Sequence, residues 1–124
     1  MSFKMSLACA ALGALMLAPL AANAKTIKST GGIVDGQGHI VAGTGFLAAR
    51  NSTGNYTLSF AGGSFRKVPA FTCSGAGANG GAPICIIFGF SYSKTGTTTV
   101  NILIVNQSNQ PQDNSFHFTE VTTH

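Results

Sequence analysis

The deciding stretch reads Ile84-Cys85-Ile86-Ile87-Phe88-Gly89-Phe90-Ser91-Tyr92-Ser93, then Lys94-Thr95-Gly96, then Thr97-Thr98-Thr99-Val100-Asn101-Ile102-Leu103-Ile104-Val105-Asn106. Ile84, Ile86, Phe88, Phe90 and Tyr92 recur at period two, so an extended strand carries them on one face. Val100, Ile102 and Ile104 do the same on the second arm. Between the arms, Gly96 offers the left-handed conformation that a three-residue hairpin loop needs. The pattern predicts an antiparallel hairpin whose first arm is too apolar to be left in water. A two-stranded ribbon is marginal alone, so further strands must cover it. Leu103 and Val105 give the second arm another apolar face. Two apolar faces predict cover on both sides, one of them from another subunit.

The flanking sequence supplies those strands. Ile33-Val34 and His39-Ile40-Val41 bracket the Gly-rich turn Asp35-Gly36-Gln37-Gly38. Phe46 to Arg50 reads as a strand, and Asn51-Ser52-Thr53-Gly54 consists of turn formers. From Asn55 to Phe60 the alternation is clean: Tyr56, Leu58 and Phe60 face one way, Asn55, Thr57 and Ser59 the other. Gly62-Gly63 ends that strand, Phe65 is expected to plug the core from a loop, and Pro69 keeps its surroundings at a loop or sheet edge. Ala70 to Cys73 is a short strand, 74–83 a Gly/Ala loop and 107–114 a polar loop. Ser115 to Val121 closes the domain, with Phe116 and Phe118 on one face. No helical period appears after residue 24. The fold class is therefore all-β: an antiparallel, jelly-roll-like β-sandwich of seven to eight short strands, following a cleaved N-terminal signal segment.

That segment is read from Lys4, the Ala/Leu-rich run Leu7 to Ala22, and the small-x-small site Ala22-Asn23-Ala24. Lys25 is expected to begin the mature chain, with a retained anchor as the alternative. The run is short for a membrane span, and no second apolar stretch of spanning length follows. The domain plan is a signal peptide over 1–24, a frayed polar segment over 25–31, a β-sandwich over 32–121 and a tail over 122–124. The protein is expected to be secreted or periplasmic.

After residue 24, six basic residues face three acidic ones, a net charge of +3. They are scattered, with Arg66-Lys67 the one adjacent pair. No dense stripe of Lys and Arg marks a nucleic-acid surface. Few charges with many β-branched and aromatic residues suit a sheet protein. Cys73 and Cys85 form an even pair in an exported chain, which predicts a disulfide. Metal ligation is the rival, but neither cysteine has a Cys or His neighbour at ligand spacing.

A resemblance rests on Gly43-Thr44-Gly45-Phe46, Thr53-Gly54-Asn55-Tyr56-Thr57-Leu58-Ser59-Phe60, then Phe65, Pro69 and the closing Asp113-Asn114-Ser115-Phe116-His117-Phe118. This pattern resembles small β-sandwich domains of bacterial secreted proteins and the distal domains of phage tail fibres. It covers Gly32 to Phe118. The resemblance implies a homo-oligomer, a trimer, and, as in the similar H-type lectins, glycan binding.

Sites with chemistry are few. Gly75-Ala76-Gly77-Ala78-Asn79-Gly80 matches G-x-G-x-x-G, but Gly81-Ala82-Pro83 cannot propagate the helix a dinucleotide needs, so no cofactor is expected. Asn51-Ser52-Thr53, Asn55-Tyr56-Thr57 and Asn106-Gln107-Ser108 fit glycosylation acceptors, but Asn, Ser, Thr and Gly are also what turns require, and the turn reading is favoured. His39 and His117 can pair with Asp35 or Asp113, while three acids leave almost nothing for glycoside hydrolysis. No catalytic or metal site is assigned. The candidate ligand-binding residues are Tyr56 and Tyr92 as stacking rings, with Asn79 and His117 as polar partners. Tyr56 and Tyr92 also fall on the apolar faces of their strands, which fits core packing. The expected function is a non-catalytic structural or binding module. A glycan-binding receptor domain and a small hydrolase are the alternatives.

Overall fold

The computed structural model describes residues 27–76 and 82–123. The signal segment, Lys25, Asn79, most of the G-x-G-x-x-G match and His124 lie outside these residues. Eight strands and no helix are seen among the described residues: β1 (Ile27–Val34), β2 (Ile40–Ala42), β3 (Leu47–Ser52), β4 (Asn55–Phe60), β5 (Ala70–Gly75), β6 (Ile84–Ser91), β7 (Thr98–Val105) and β8 (Phe116–Thr123). They form two antiparallel sheets, in the orders β2-β1-β8-β5 and β3-β4-β7-β6, packed as a β-sandwich. Among the described residues no helix is long and apolar enough to cross a membrane.

Alternation dictates which side chains meet between the sheets. Tyr56, Leu58 and Phe60 of β4 and Val100, Ile102 and Ile104 of β7 are buried from one sheet. Val34, Phe116 and Phe118 are buried from the other, with Phe46 and Phe65 entering from loops. The aromatic rings interlock: Phe118 meets Phe46 edge-on at 4.8 Å, and Phe60 lies 5.2 Å from Phe65 and 5.3 Å from Phe71. Offset and edge-to-face pairs of this kind add about 0.5–1.5 kcal/mol each beyond the area they bury. Phe65 thus plugs the core as its sequence context predicts.

Turn chemistry matches the residues. Asp35 Oδ1 accepts from the amides of Gln37 and His39, both at 2.9 Å, and so builds the β1–β2 turn. Gly54 sits at φ +69°, where its added Cβ would stand 2.5 Å from the Ile104 carbonyl oxygen. Only glycine fits there without displacing backbone. Asn106 Oδ1 accepts from the amides of Ser108 and Gln110, and Asn51 Nδ2 donates to Thr57 Oγ1. Both asparagines thereby serve local structure.

Three expectations are corrected. First, the polar stretch 25–31 is not a frayed arm from Ile27 onward: β1 pairs with β8 from Ile27↔Thr123 to Val34↔Phe116. The sandwich therefore also takes in Thr122 and Thr123 of the expected tail. Hydropathy misses this end because its inward positions include Thr30, Glu120 and Thr122 rather than apolar residues. Second, the β6–β7 connection runs over 92–97, and Gly96 does not adopt a positive φ. Ser93 Oγ accepts from the Gly96 amide at 2.8 Å, and Thr98 Oγ1 accepts from the Ser93 amide at 3.2 Å, so hydroxyls shape the loop instead. Third, Ile84, Ile86 and Phe88 face outward, as described below.

Cys73 of β5 and Cys85 of β6 are disulfide-bonded, with Cα atoms 5.8 Å apart. β5 and β6 each end their sheet, so the bridge staples the two sheets at one open edge. Closing a ring this short restricts the unfolded chain by an amount equivalent to about 3 kcal/mol in the chain-entropy picture. Replacing both cysteines by alanine is expected to lower the urea unfolding free energy by roughly 2–3 kcal/mol, leaving the far-UV spectrum sheet-like. An unchanged denaturation midpoint would contradict the staple.

Candidate functional site

β6 is the last strand of its sheet and pairs only with β7 within it. Cys85 and Ile87 turn toward the core, where they stand opposite Ile104 and Ile102. Ile84 and Ile86 stand opposite Val105 and Leu103 on the outer face. The register shifts between Ile87 and Gly89, which makes Phe88 an extra, bulged residue. Beyond the bulge Phe90 pairs with Val100 on the inner face and lies 5.8 Å from Phe71 across the sheets. The five residues of the period-two run are therefore split by the bulge rather than aligned on one face.

The consequence is an exposed apolar stripe. Ile84 is 45% exposed, Ile86 39% and Phe88 52%. Half-buried Leu103 continues the stripe onto β7. Farther across the same outer face come Asn55, Thr57, Ser59, Thr99 and Asn101, then Ala49 and Leu47 on β3, the last 72% exposed. No charged residue occupies these outward positions. A solvent face of a sheet usually alternates with charged or polar residues, and edge strands usually carry Lys or Pro to block pairing. β6 has neither, although its bulge bends the edge.

A second cluster holds the N-terminal end of β4. Arg50 of β3 donates to Asp113 through Nε, at 3.0 and 3.1 Å, and through Nη2 at 2.8 Å. Asp113 Oδ1 also accepts from the Gly54 amide at 2.8 Å. The Tyr56 hydroxyl donates to the Gly36 carbonyl at 2.7 Å and accepts from the Asn114 amide at 3.3 Å. These contacts clamp the 107–115 segment onto the β3–β4 hairpin and the β1–β2 turn. The Arg50 guanidinium holds the Asp113 carboxyl below its ordinary value of 3.8, helped by the Gly54 amide. Burial pushes the Tyr56 phenol from 10.0 up to about 12. The cluster is structural: its donors and acceptors are used on one another.

The candidate ligand-binding residues are dispersed. Tyr56 is fully buried against Phe116, ring centroids 5.1 Å apart, so its ring is not offered to a ligand. Tyr92 is half-buried and donates to the Phe65 carbonyl at 3.1 Å. Both tyrosines take the core-packing alternative. Asn79 lies outside the described residues. His117 is exposed on the outer face of β8, opposite Ile33 and Ser74, away from both rings. His39 Nδ1 stands 3.2 Å from Asp35 Oδ2 on an exposed turn. Among the described residues no hydroxyl hydrogen-bonds to either His39 or His117, and no cluster of three metal-ligating side chains occurs. Sequence reasoning missed the Arg50–Asp113 pair, because 63 residues separate the partners and no local pattern links them.

No family model, curated protein or solved structure matches this chain.

Asp113 is favoured as carboxylate in the folded chain. Its contribution is complete above its ordinary value of 3.8 and fades as pH falls below it. Asp113→Asn is expected to cost roughly 1–2 kcal/mol at neutral pH and to flatten the acid side of the stability profile. A parallel downward shift of the whole profile would contradict that assignment. Tyr56 gives an alkaline readout. In ultraviolet titration, one of the two tyrosines should ionise only near 12 in the folded protein, and Tyr56→Phe should remove that step. The neutral phenol stabilises the fold fully below 10 and less as pH rises toward 12.

Proposed function

We propose that this protein is an exported, non-catalytic structural module that assembles with further copies of itself through the outer face of β6. The observation that carries the reading is the exposed stripe Ile84, Ile86 and Phe88 on a face without charge. These side chains point away from the core between the sheets, so they do not help to complete it. Large apolar groups grouped at a sheet edge mark interaction surfaces. A second copy is a suitable occupant, because an uncharged face meets its own duplicate without repulsion. The likeness to tail-fibre distal domains implies three copies.

Export is supported by the leader pattern and by the disulfide, a bond that persists in oxidising compartments. Protein recovered from the envelope or medium should begin at Lys25 on N-terminal sequencing. Glycan binding and hydrolysis are not advanced, because the tyrosines are tied into the core and neither histidine is paired with a nucleophile.

Analytical ultracentrifugation across the micromolar range tests the assembly. The parent chain should sediment as an oligomer. Ile86→Lys with Phe88→Glu should sediment as a monomer of unchanged fold and similar melting temperature. A monomeric parent would refute the proposal.

A further inference from the structure

At one end of the sandwich, near the ends of β4 and β8, lies a feature that assembly through the outer face of β6 does not use. Glu120 points inward from β8, in the row that carries Phe116 and Phe118, and is only 2% exposed. Its Oε2 accepts from Thr30 Oγ1 at 2.7 Å. Its Oε1 is the one buried side-chain polar atom without a hydrogen-bond partner among the described residues. Neither ion pair among the described residues involves Glu120. A buried carboxylate without a cation is costly, and a buried acceptor without a donor adds to that cost.

Glu120 lines a cavity of about 260 Å³. Its floor is buried: Glu120, Thr122, Phe60 and Phe65. Its rim is exposed: Thr30, Thr44 and Ser64. The Ser64 hydroxyl donates to the Ala61 carbonyl at 2.6 Å, which leaves its oxygen free to accept. The cavity therefore combines an anionic acceptor, hydroxyl acceptors and two aromatic rings. Each of these favours one kind of group. A protonated amine balances a carboxylate, donates several N–H bonds to such oxygens, and is attracted to aromatic faces. The volume is below the usual range of about 300–1,000 Å³ for drug-sized ligands, which suits a head group and short stem.

We propose that this cavity binds a ligand through a protonated primary amine, with Glu120 as its counter-ion and the rim hydroxyls of Thr44 and Ser64 as further acceptors. The amine belongs to a free alkylamine or to an amino sugar; both present the same ammonium.

The test titrates the purified protein with n-butylammonium chloride and with glucosamine hydrochloride, following backbone amide shifts by NMR. Neutral n-butanol and glucose serve as matched controls, and sodium chloride holds ionic strength constant. One or both ammonium probes should shift the amides of Thr30, Thr44 and Thr122 saturably, and the stronger of them names the source. The neutral probes should not. Glu120→Gln, which keeps size and the Thr30 contact, should weaken binding at least about tenfold. Thr44→Val, at the exposed rim, should weaken it severalfold and covers the case in which Glu120→Gln does not fold. Equal shifts from butanol or glucose, no saturable shift from either ammonium, or full affinity in folded Glu120→Gln would overturn the proposal. Lys28 stands opposite Thr122 in the strand register. Binding seen only in Lys28→Gln would also overturn it, by showing that the protein's own ammonium is the occupant.

Discussion

The contact between β4 and β8 across the two sheets is the constraint on which the structure rests. Tyr56 meets Phe116 at 5.1 Å, and Phe60 meets Phe118 edge-on at 6.1 Å. Neither strand could bury those rings against its own sheet, because side chains of one face stand perpendicular to it. The rings are buried only when the sheets stack. Stacking then settles the rest: β1 and β7 flank these strands, and β2, β3, β5 and β6 become edges.

Edges are where this chain departs from a plain sandwich. On one side, the disulfide between β5 and β6 ties the two sheets together at their shared edge. On the outer face of β6, apolar groups remain in water. At one end of the sandwich, β1 and β8 extend with Thr30, Glu120 and Thr122 turned inward. An apolar residue at position 120 would have continued the row of Phe116 and Phe118. A carboxylate there leaves a polar cavity in place of core. The two unusual placements are chemically opposite: apolar groups outside and an acid inside.

Much of the architecture was legible in the residues. The alternation of β4 and β7, the plug at Phe65, the Asp35 turn and the Cys73–Cys85 pair all have local signals: period two, a ring after a Gly-Gly break, an acid before glycine, an even cysteine count. The outward direction of His117 followed from its place between two core phenylalanines. The reading of β6 erred because period two states that residues share a face without stating which. The bulge at Phe88 then broke the period itself. The Arg50–Asp113 clamp and the Thr30–Glu120 contact had no local signal, since their partners are 63 and 90 residues apart.

The sequence alone determined an all-β domain with one disulfide and the inner faces of its central strands, because alternation and turn chemistry act between near neighbours. Only the tertiary structure decided which strands end the sheets, which apolar residues stay in water and where a lone acid is enclosed. Those outcomes depend on contacts between distant strands, and no short window of sequence encodes which distant strand arrives.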